Sequence, residues 1–136
     1  MKENIAAERI SYMKSNESAE NYLETILMLS KKKPVVRGVD IAEELGYKKS
    51  SVSVAMKHLR ENQHIVVSKE GFITLTKSGL EIAEMIYERH QIISAGLISL
   101  GVSEETALED ACRIEHVISS ESFRAIKEHL QKMKKD

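Results

Sequence analysis

The densest group of metal-coordinating side chains in this sequence of 136 residues lies in the segment CRIEH, residues 112–116. Cys112, Glu115 and His116 stand at positions i, i+3 and i+4, so they share one face if the segment is helical. A thiolate, a carboxylate and an imidazole on one face form a suitable ligand set for a divalent transition metal ion. Two other interpretations stay open: a buried cysteine beside a surface glutamate and a capping histidine, or a nucleophilic pair of Cys112 and His116.

The enzyme interpretation has little support in the sequence. No glycine-rich turn or set of oxyanion donors accompanies Cys112 and His116, as nucleophilic catalysis requires. The sequence also contains no glycine-rich phosphate loop and no Cys-x-x-Cys motif. We therefore expect a binding protein rather than an enzyme.

Two polar residues earlier in the chain are candidates for further ligands. Asn21 and Glu24 stand at i and i+3 on a helix predicted over residues 17–30, beside a stripe of apolar residues. A carboxylate next to a buried stripe needs a partner, and a metal ion is one such partner. Both residues are therefore added to the candidate metal site.

Length and cysteine content limit the class of protein. A chain of this length fits one domain, or one small domain with an appendage, and it can bury a core. The single cysteine, Cys112, excludes an intrachain disulfide and fits a reducing compartment. Because no run of 18 or more apolar residues and no signal-peptide pattern occurs, we expect a cytoplasmic protein with no membrane partner.

Charge is distributed unevenly along the chain. Residues 31–69 contain nine basic and four acidic residues, whereas residues 79–118 contain two basic and eight acidic residues. A basic part of the chain suits contact with nucleic-acid phosphates, and an acidic part suits a bound cation. Two ordinarily solvated surfaces are the alternative interpretation.

Residues 39–61 have the pattern of a helix-turn-helix. The segment from Val39 to Leu45 predicts a helix of about two turns. Gly46 suits the left-handed conformation that ends a helix, and Ser50 is expected to cap the next one. A short helix, a tight turn and a second helix with a polar outer face are typical of DNA-binding proteins, although a plain αα-hairpin has a similar pattern.

A β-hairpin is predicted directly after these helices. The segments IVV at residues 65–67 and FITL at residues 72–75 are β-prone, and a polar loop containing glycine separates them. A hairpin at this place is the wing of a winged helix.

Serine and lysine side chains on the second helix of the helix-turn-helix suit phosphates, while Val54 suits a thymine methyl. The predicted DNA-contacting residues are Lys48, Lys49, Ser50, Ser51, Ser53, Val54, Lys57, Arg60 and Lys69.

The rest of the chain is predicted to be helical. Residues 1–16 are expected to form an arm or a frayed helix, and the helix after them ends at residues 31–34. The helix that follows the hairpin continues to Gly101, and its apolar stripe is wide enough to meet a partner subunit as well as the core. Helix caps are expected at Ser18, Thr76, Ser103, and Ser119 or Ser120.

Four segments resemble, in order and with fitting spacing, the iron- and manganese-dependent repressors of the diphtheria toxin repressor family. They are ENYLETILML, DIAEELGYKKSSVSVAMKHL, ITLTKSGLEIAEMIYERHQII and EDACRIEHVIS, the last with a Cys-x-x-Glu-His motif. The resemblance covers about residues 18–130. It implies a mainly α protein, with a winged helix-turn-helix DNA-binding domain at residues 17–77 and an all-helical metal-binding and dimerisation domain at residues 78–136. It also implies a homodimer that binds a palindromic operator in double-stranded DNA and represses metal-uptake genes.

The same resemblance implies the ligand set. Asn21 occupies a position that usually holds Met in iron-type members and Asp in manganese-type members, and its neutral amide is a weaker ligand than a carboxylate. Cys112 is the iron-type residue, and a thiolate favours Fe²⁺, Co²⁺, Ni²⁺ or Zn²⁺ over Mn²⁺. We expect Fe²⁺ or Mn²⁺ as the activating ion. The implied ligands are Glu24, His90, Cys112, Glu115 and His116, with Asn21 at the remaining position.

Two features distinguish the sequence from longer iron-type members. The ancillary metal site of those members would need ligands at Ser94 and Leu108, and a leucine side chain cannot ligate a metal. The length resembles that of the short manganese transport regulators, so we expect no SH3-like domain. The sequence therefore combines a short architecture with an iron-type cysteine.

Two alternatives for regulation are compatible with the sequence. One is a winged-helix regulator that senses a small organic ligand or the oxidation of Cys112. The other is a metal-dependent activator, because the sign of regulation depends on where the operator lies.

Overall fold

The computed structural model describes the backbone of residues 2–135 and the side chains of residues 17–134. The chain divides into two compact units, residues 1–84 and residues 85–136. No helix in the described part is long and apolar enough to span a membrane. The elements in chain order are α1 (Lys2–Lys32), α2 (Gly38–Leu45), α3 (Lys49–Glu61), β1 (Ile65–Val67), β2 (Ile73–Leu75), α4 (Lys77–Ser99), α5 (Glu104–Val117) and α6 (Ser120–Lys135).

Helix α1 is longer than the sequence pattern predicts. Its backbone is helical from Lys2, so the predicted cap at Ser18 is wrong. An N–H group inside a helix bonds to a preceding carbonyl and needs no capping side chain. The predicted end is confirmed at Lys32, two residues before Pro34. The side chains of residues 1–16 lie outside the described residues, and the arm proposed there stays a prediction. The buried side of α1 consists of Tyr22, Leu23, Ile26, Leu27 and Leu29.

The helix-turn-helix is confirmed, with one correction. Gly46 ends α2 in the left-handed conformation at φ 69°, and α3 follows three residues later. The predicted cap at Ser50 is wrong, because α3 begins at Lys49 and Val52 N–H donates to the carbonyl of Lys48 at 3.1 Å. Helix α3 thus begins one residue before Ser50. Its buried face consists of Val52, Met56 and Leu59.

The predicted wing is also present. Strands β1 and β2 pair antiparallel, with Ile65 opposite Leu75. Ser68 Oγ accepts from Phe72 N–H at 3.0 Å and closes the loop between the strands. Ile65 and Ile73 are buried, so one face of the hairpin belongs to the core of the first unit.

The junction between the wing and α4 has no room for an extra atom. Thr76 Oγ1 accepts from Gly79 N–H at 3.2 Å, which confirms the predicted cap, and donates to the carbonyl of Gln63 at 2.7 Å. A Cβ atom added at Gly79 would lie 2.0 Å from the carbonyl oxygen of His64. Glycine is therefore required here by close backbone approach.

The second unit consists of the later part of α4 with α5 and α6. Ser103 accepts from Thr106 N–H at 3.4 Å, and Ser119 accepts from Ser122 N–H at 3.1 Å, so both predicted caps are confirmed. The stripe predicted on α4 is buried at Ile86 and Ile93. The buried apolar side chains of α5 and α6 are Ala107, Ala111 and Phe123.

Candidate metal centre and nucleic-acid interface

Three potential metal ligands from two helices meet in the second unit. His90 lies on α4, and Cys112 and Glu115 lie on α5. One ligand atom from each of them lies within 4.8 Å of the others. His90 Nδ1 is 2.9 Å from Glu115 Oε2 and 3.8 Å from Cys112 Sγ. A nitrogen, a sulfur and an oxygen are therefore directed at one small volume.

The carboxylate of Glu115 is at the centre of this group. Its side chain is only 1% exposed, and a buried carboxylate requires partners of opposite charge or hydrogen-bond donors. His90 contacts one carboxylate oxygen, and His116 Nε2 lies 3.3 Å from the other. Cys112 is exposed, so the group has a side open to solvent. The arrangement combines a buried anion with a path by which an ion can enter.

The sequence predicts that Cys112, Glu115 and His116 share one face of a helix, and α5 does span all three. His116 packs against Glu115 and is not part of the three-atom group. Asn21 and Glu24 belong to α1 of the first unit and are half-buried. Their ligand roles, like those of the other residues, stay predictions.

The donor set suits an ion of intermediate softness. A thiolate with an imidazole fits Fe²⁺, Co²⁺, Ni²⁺ and Zn²⁺, whereas carboxylate and carbonyl sets suit Mn²⁺. At one position of the ancillary site, the buried Ser94 hydroxyl donates to the His90 carbonyl at 2.7 Å. Leu108 is 40% exposed and has no ligand atom. The described residues thus offer a group of ligands at one place in this unit.

The residues predicted to contact DNA form an exposed surface on the first unit. Ser50, Val54 and Lys57 project from α3 on the side opposite its buried face, and Val54 is 57% exposed. Lys69 is exposed in the loop between β1 and β2. All nine predicted DNA-contacting residues are exposed: Lys48, Lys49, Ser50, Ser51, Ser53, Val54, Lys57, Arg60 and Lys69.

Two arginines with specific contacts were not recognised from the sequence. The Arg37 guanidinium carbon lies 4.9 Å from the centre of the Phe72 ring, so it joins the start of α2 to the wing. Arg89 donates to the carbonyls of Glu115 and Ile118. Arg89 stands next to His90 in the sequence, and Arg37 is one of the nine basic residues of the segment 31–69.

Two protein-family models match adjoining parts of the chain. The model described as the iron-dependent repressor N-terminal DNA-binding domain matches residues 14–72. The model described as the iron-dependent repressor metal-binding and dimerisation domain matches residues 76–136. Together these matches extend over most of the chain.

Similar proteins include regulators from archaea and bacteria. An uncharacterized HTH-type transcriptional regulator of Methanocaldococcus jannaschii is 33% identical over 121 residues, which are 88% of this chain and 97% of that protein. The HTH-type transcriptional regulator MntR of Bacillus subtilis is 33% identical over 119 residues, 88% of this chain and 84% of that protein. A solved structure of a manganese-dependent transcriptional repressor with manganese is 26% identical, with a TM-score of 0.76 over 83% of this chain. The match covers 52% of that solved chain, so this chain spans about half of its length.

Proposed function

The chain belongs to the iron-dependent repressor family of metal-dependent, DNA-binding transcriptional regulators, and from this premise we propose that it is a repressor of metal-uptake genes activated by Fe²⁺. It is a regulator and not an enzyme, and it acts on DNA as a homodimer. The observation that supports the choice of ion is the close approach of His90, Cys112 and Glu115. Mn²⁺ would activate it less well, because the thiolate favours the softer ion.

The proposed metal site contains one ion per subunit. His90, Cys112 and Glu115 are its ligands on the evidence of their distances. Asn21, Glu24 and His116 complete the set on the evidence of the resemblance alone. A cation held there would supply positive charge beside Cys112 and Glu115. His90 and His116 would bind it through ring nitrogens, since the neutral imidazole is the form in which histidine binds metal.

The second copy is proposed to cover an apolar groove on the second unit. The groove has a volume of about 460 Å³ and lies between α4 and α6. Leu100 at its edge is 82% exposed, which is unusual for so large an apolar side chain. The family model names residues 76–136 as a dimerisation domain, so a second copy of this chain is the expected occupant. Its lining includes Ile93, Leu97, Leu100, Ile126, Leu130 and Met133.

The operator is proposed to be palindromic. A two-fold dimer presents two copies of α3 by symmetry, and each copy reads one half-site. Two recognition helices enter successive major grooves when they lie about one DNA turn apart, roughly 34–36 Å. Metal binding that favours this arrangement raises the population of the DNA-binding state, and DNA binding raises metal affinity by the same factor.

The test is operator binding titrated with one metal at a time. Anaerobic Fe²⁺, Co²⁺ and Zn²⁺ are expected to activate binding at lower concentrations than Mn²⁺. Glu115→Gln is expected to abolish metal stimulation while leaving the dimer folded. Glu109→Gln, an exposed change on the same helix, is the matched control and is expected to behave as the unmodified protein.

Chelation separates this proposal from its rival. A regulator that senses an organic ligand or oxidation of Cys112 would bind DNA equally well with and without a chelator. Metal-dependent binding by the Glu115→Gln protein would contradict the site assignment. Equal activation by Mn²⁺ and Fe²⁺ would contradict the choice of metal.

A further inference from the structure

Arg89 connects the metal-ligating part of α4 to the C-terminal end of α5. Its Nη1 atom donates to the Glu115 carbonyl at 3.1 Å and to the Ile118 carbonyl at 2.9 Å. Helix α5 ends at Val117, so both acceptors belong to the end of a helix, where carbonyls lack partners inside the helix. A cation at this end is also favoured by the helix dipole. The guanidinium therefore acts as a cap supplied by a neighbouring helix.

The third helix of the unit holds the same guanidinium. The Arg89 guanidinium carbon lies 5.6 Å from the centre of the Phe123 ring. Phe123 lies on α6 and is only 7% exposed. Because the hydrogen bonds fix one side of Arg89 and the ring covers another, its side chain has little freedom. Arg89 thus joins α4, α5 and α6 at one point.

This point lies directly beside the candidate ligands. Arg89 precedes His90 in the chain, and Glu115 supplies both the carbonyl that Arg89 binds and the carboxylate that His90 contacts. The two neighbours on α4 therefore hold the same residue of α5, one through its backbone and one through its side chain. A shift of α5 along α4 would change both contacts together.

We infer that Arg89 is a positioning residue for the metal site, fixing how far His90 lies from Cys112 and Glu115. The inference rests on the proposed function, because it concerns the same ligands. Metal–ligand distances tolerate changes of only about 0.2 Å, so the relative placement of two helices sets affinity. Loss of groups that orient the ligands lowers metal affinity by about 10–100-fold in other metal sites.

The test compares Co²⁺ binding by Arg89→Met with that of the unmodified chain. Methionine keeps the aliphatic part of the side chain but removes the guanidinium, and with it both hydrogen bonds and the contact with the Phe123 ring. Co²⁺ is the probe because its absorption bands report affinity and ligand geometry, including thiolate coordination. We expect about 10–100-fold weaker binding and an altered spectrum. Arg124→Met, an exposed change on α6 with the same loss of charge, is the control and is expected to leave both unchanged.

A second variant covers loss of folding. Arg89→Lys keeps the charge and a donor nitrogen but lacks the planar guanidinium, so we expect partial rescue, with an affinity between those of Arg89→Met and the unmodified chain. Titrations are made at a temperature below the onset of unfolding of the metal-free protein, and this onset is measured separately for each variant. Unchanged affinity and spectrum in Arg89→Met, or in Arg89→Lys if the first does not fold, would overturn the inference. If the unmodified chain gives no cobalt–thiolate band, the metal site itself is wrong and the role of Arg89 is overturned with it.

Discussion

The two units present their candidate functional side chains in opposite ways. On the first unit the side chains of α3 that are predicted to contact DNA are exposed, as in Ser50, Val54 and Lys57. On the second unit the carboxylate of Glu115 is buried, and two imidazoles contact it. Side chains that share no partner contribute nearly independently, whereas groups in one network do not. A single change among these residues of α3 should therefore weaken DNA binding only in part. A single change in the group around Glu115 should remove metal activation.

The largest expected effect is on the stability of the first unit, at the junction between the wing and α4. Gly79→Ala should lower the free energy of unfolding by about 3 kcal/mol or more, because the new Cβ would lie 2.0 Å from a backbone carbonyl oxygen. Gly38→Ala on the same unit is the matched control, since its Cβ would lie 4.0 Å from Val52 Cγ1. Thermal unfolding measures both. Equal stability of the two variants would show that the junction can relax.

The second largest effect is on the metal preference of the group formed by His90, Cys112 and Glu115. Cys112→Glu should shift the preference toward Mn²⁺ by about 10-fold relative to Co²⁺, because a hard carboxylate replaces a soft thiolate. The ratio of dissociation constants for the two ions, measured by competition with a chelator, checks this. Ser103→Ala, at the start of the same helix, is the control for changes in helix stability. An unchanged ratio would mean that Cys112 is not a ligand.

The contrast between the units also explains what the sequence could predict. Exposure on α3 follows from helical spacing, because Val52, Met56 and Leu59 fix the buried side. The same rule placed Cys112 and Glu115 on one face of α5. Local spacing cannot reveal a contact between helices, so His90 entered only through the family resemblance.

Helix starts were predicted less well where several serines compete. Ser18 and Ser50 both lie inside helices, while Ser103 caps α5 as expected. A serine can cap only if the preceding chain leaves the helix, and that depends on more than the serine itself. Arg89 was missed for a similar reason, since its acceptors are backbone carbonyls on another helix and leave no sequence signal.

A moderate effect tests whether the residues predicted to contact DNA act independently of one another. Lys49→Ala should weaken binding to operator and unrelated DNA alike and reduce the slope of log affinity against log salt by about 1, as expected for one lost phosphate contact. Lys134→Ala, an exposed lysine near the end of α6, is the control. Binding measured at several salt concentrations gives the slope. A loss confined to the operator would assign Lys49 to base recognition.

The smallest effect concerns acid stability of the first unit. The hydrogen bond from Lys33, followed by that from the Arg37 backbone, holds the pKa of Asp40 below its ordinary value. A lowered pKa in the folded state contributes stability above the ordinary pKa of about 3.9, and that contribution is lost as pH falls through the folded value. Asp40→Asn should therefore melt at a lower temperature at pH 7, with a smaller difference from the unmodified chain near pH 3. Glu70→Gln in the wing should show no such convergence. A constant difference across this range would mean that Asp40 stabilises α2 through its hydrogen bonds without a contribution from its charge.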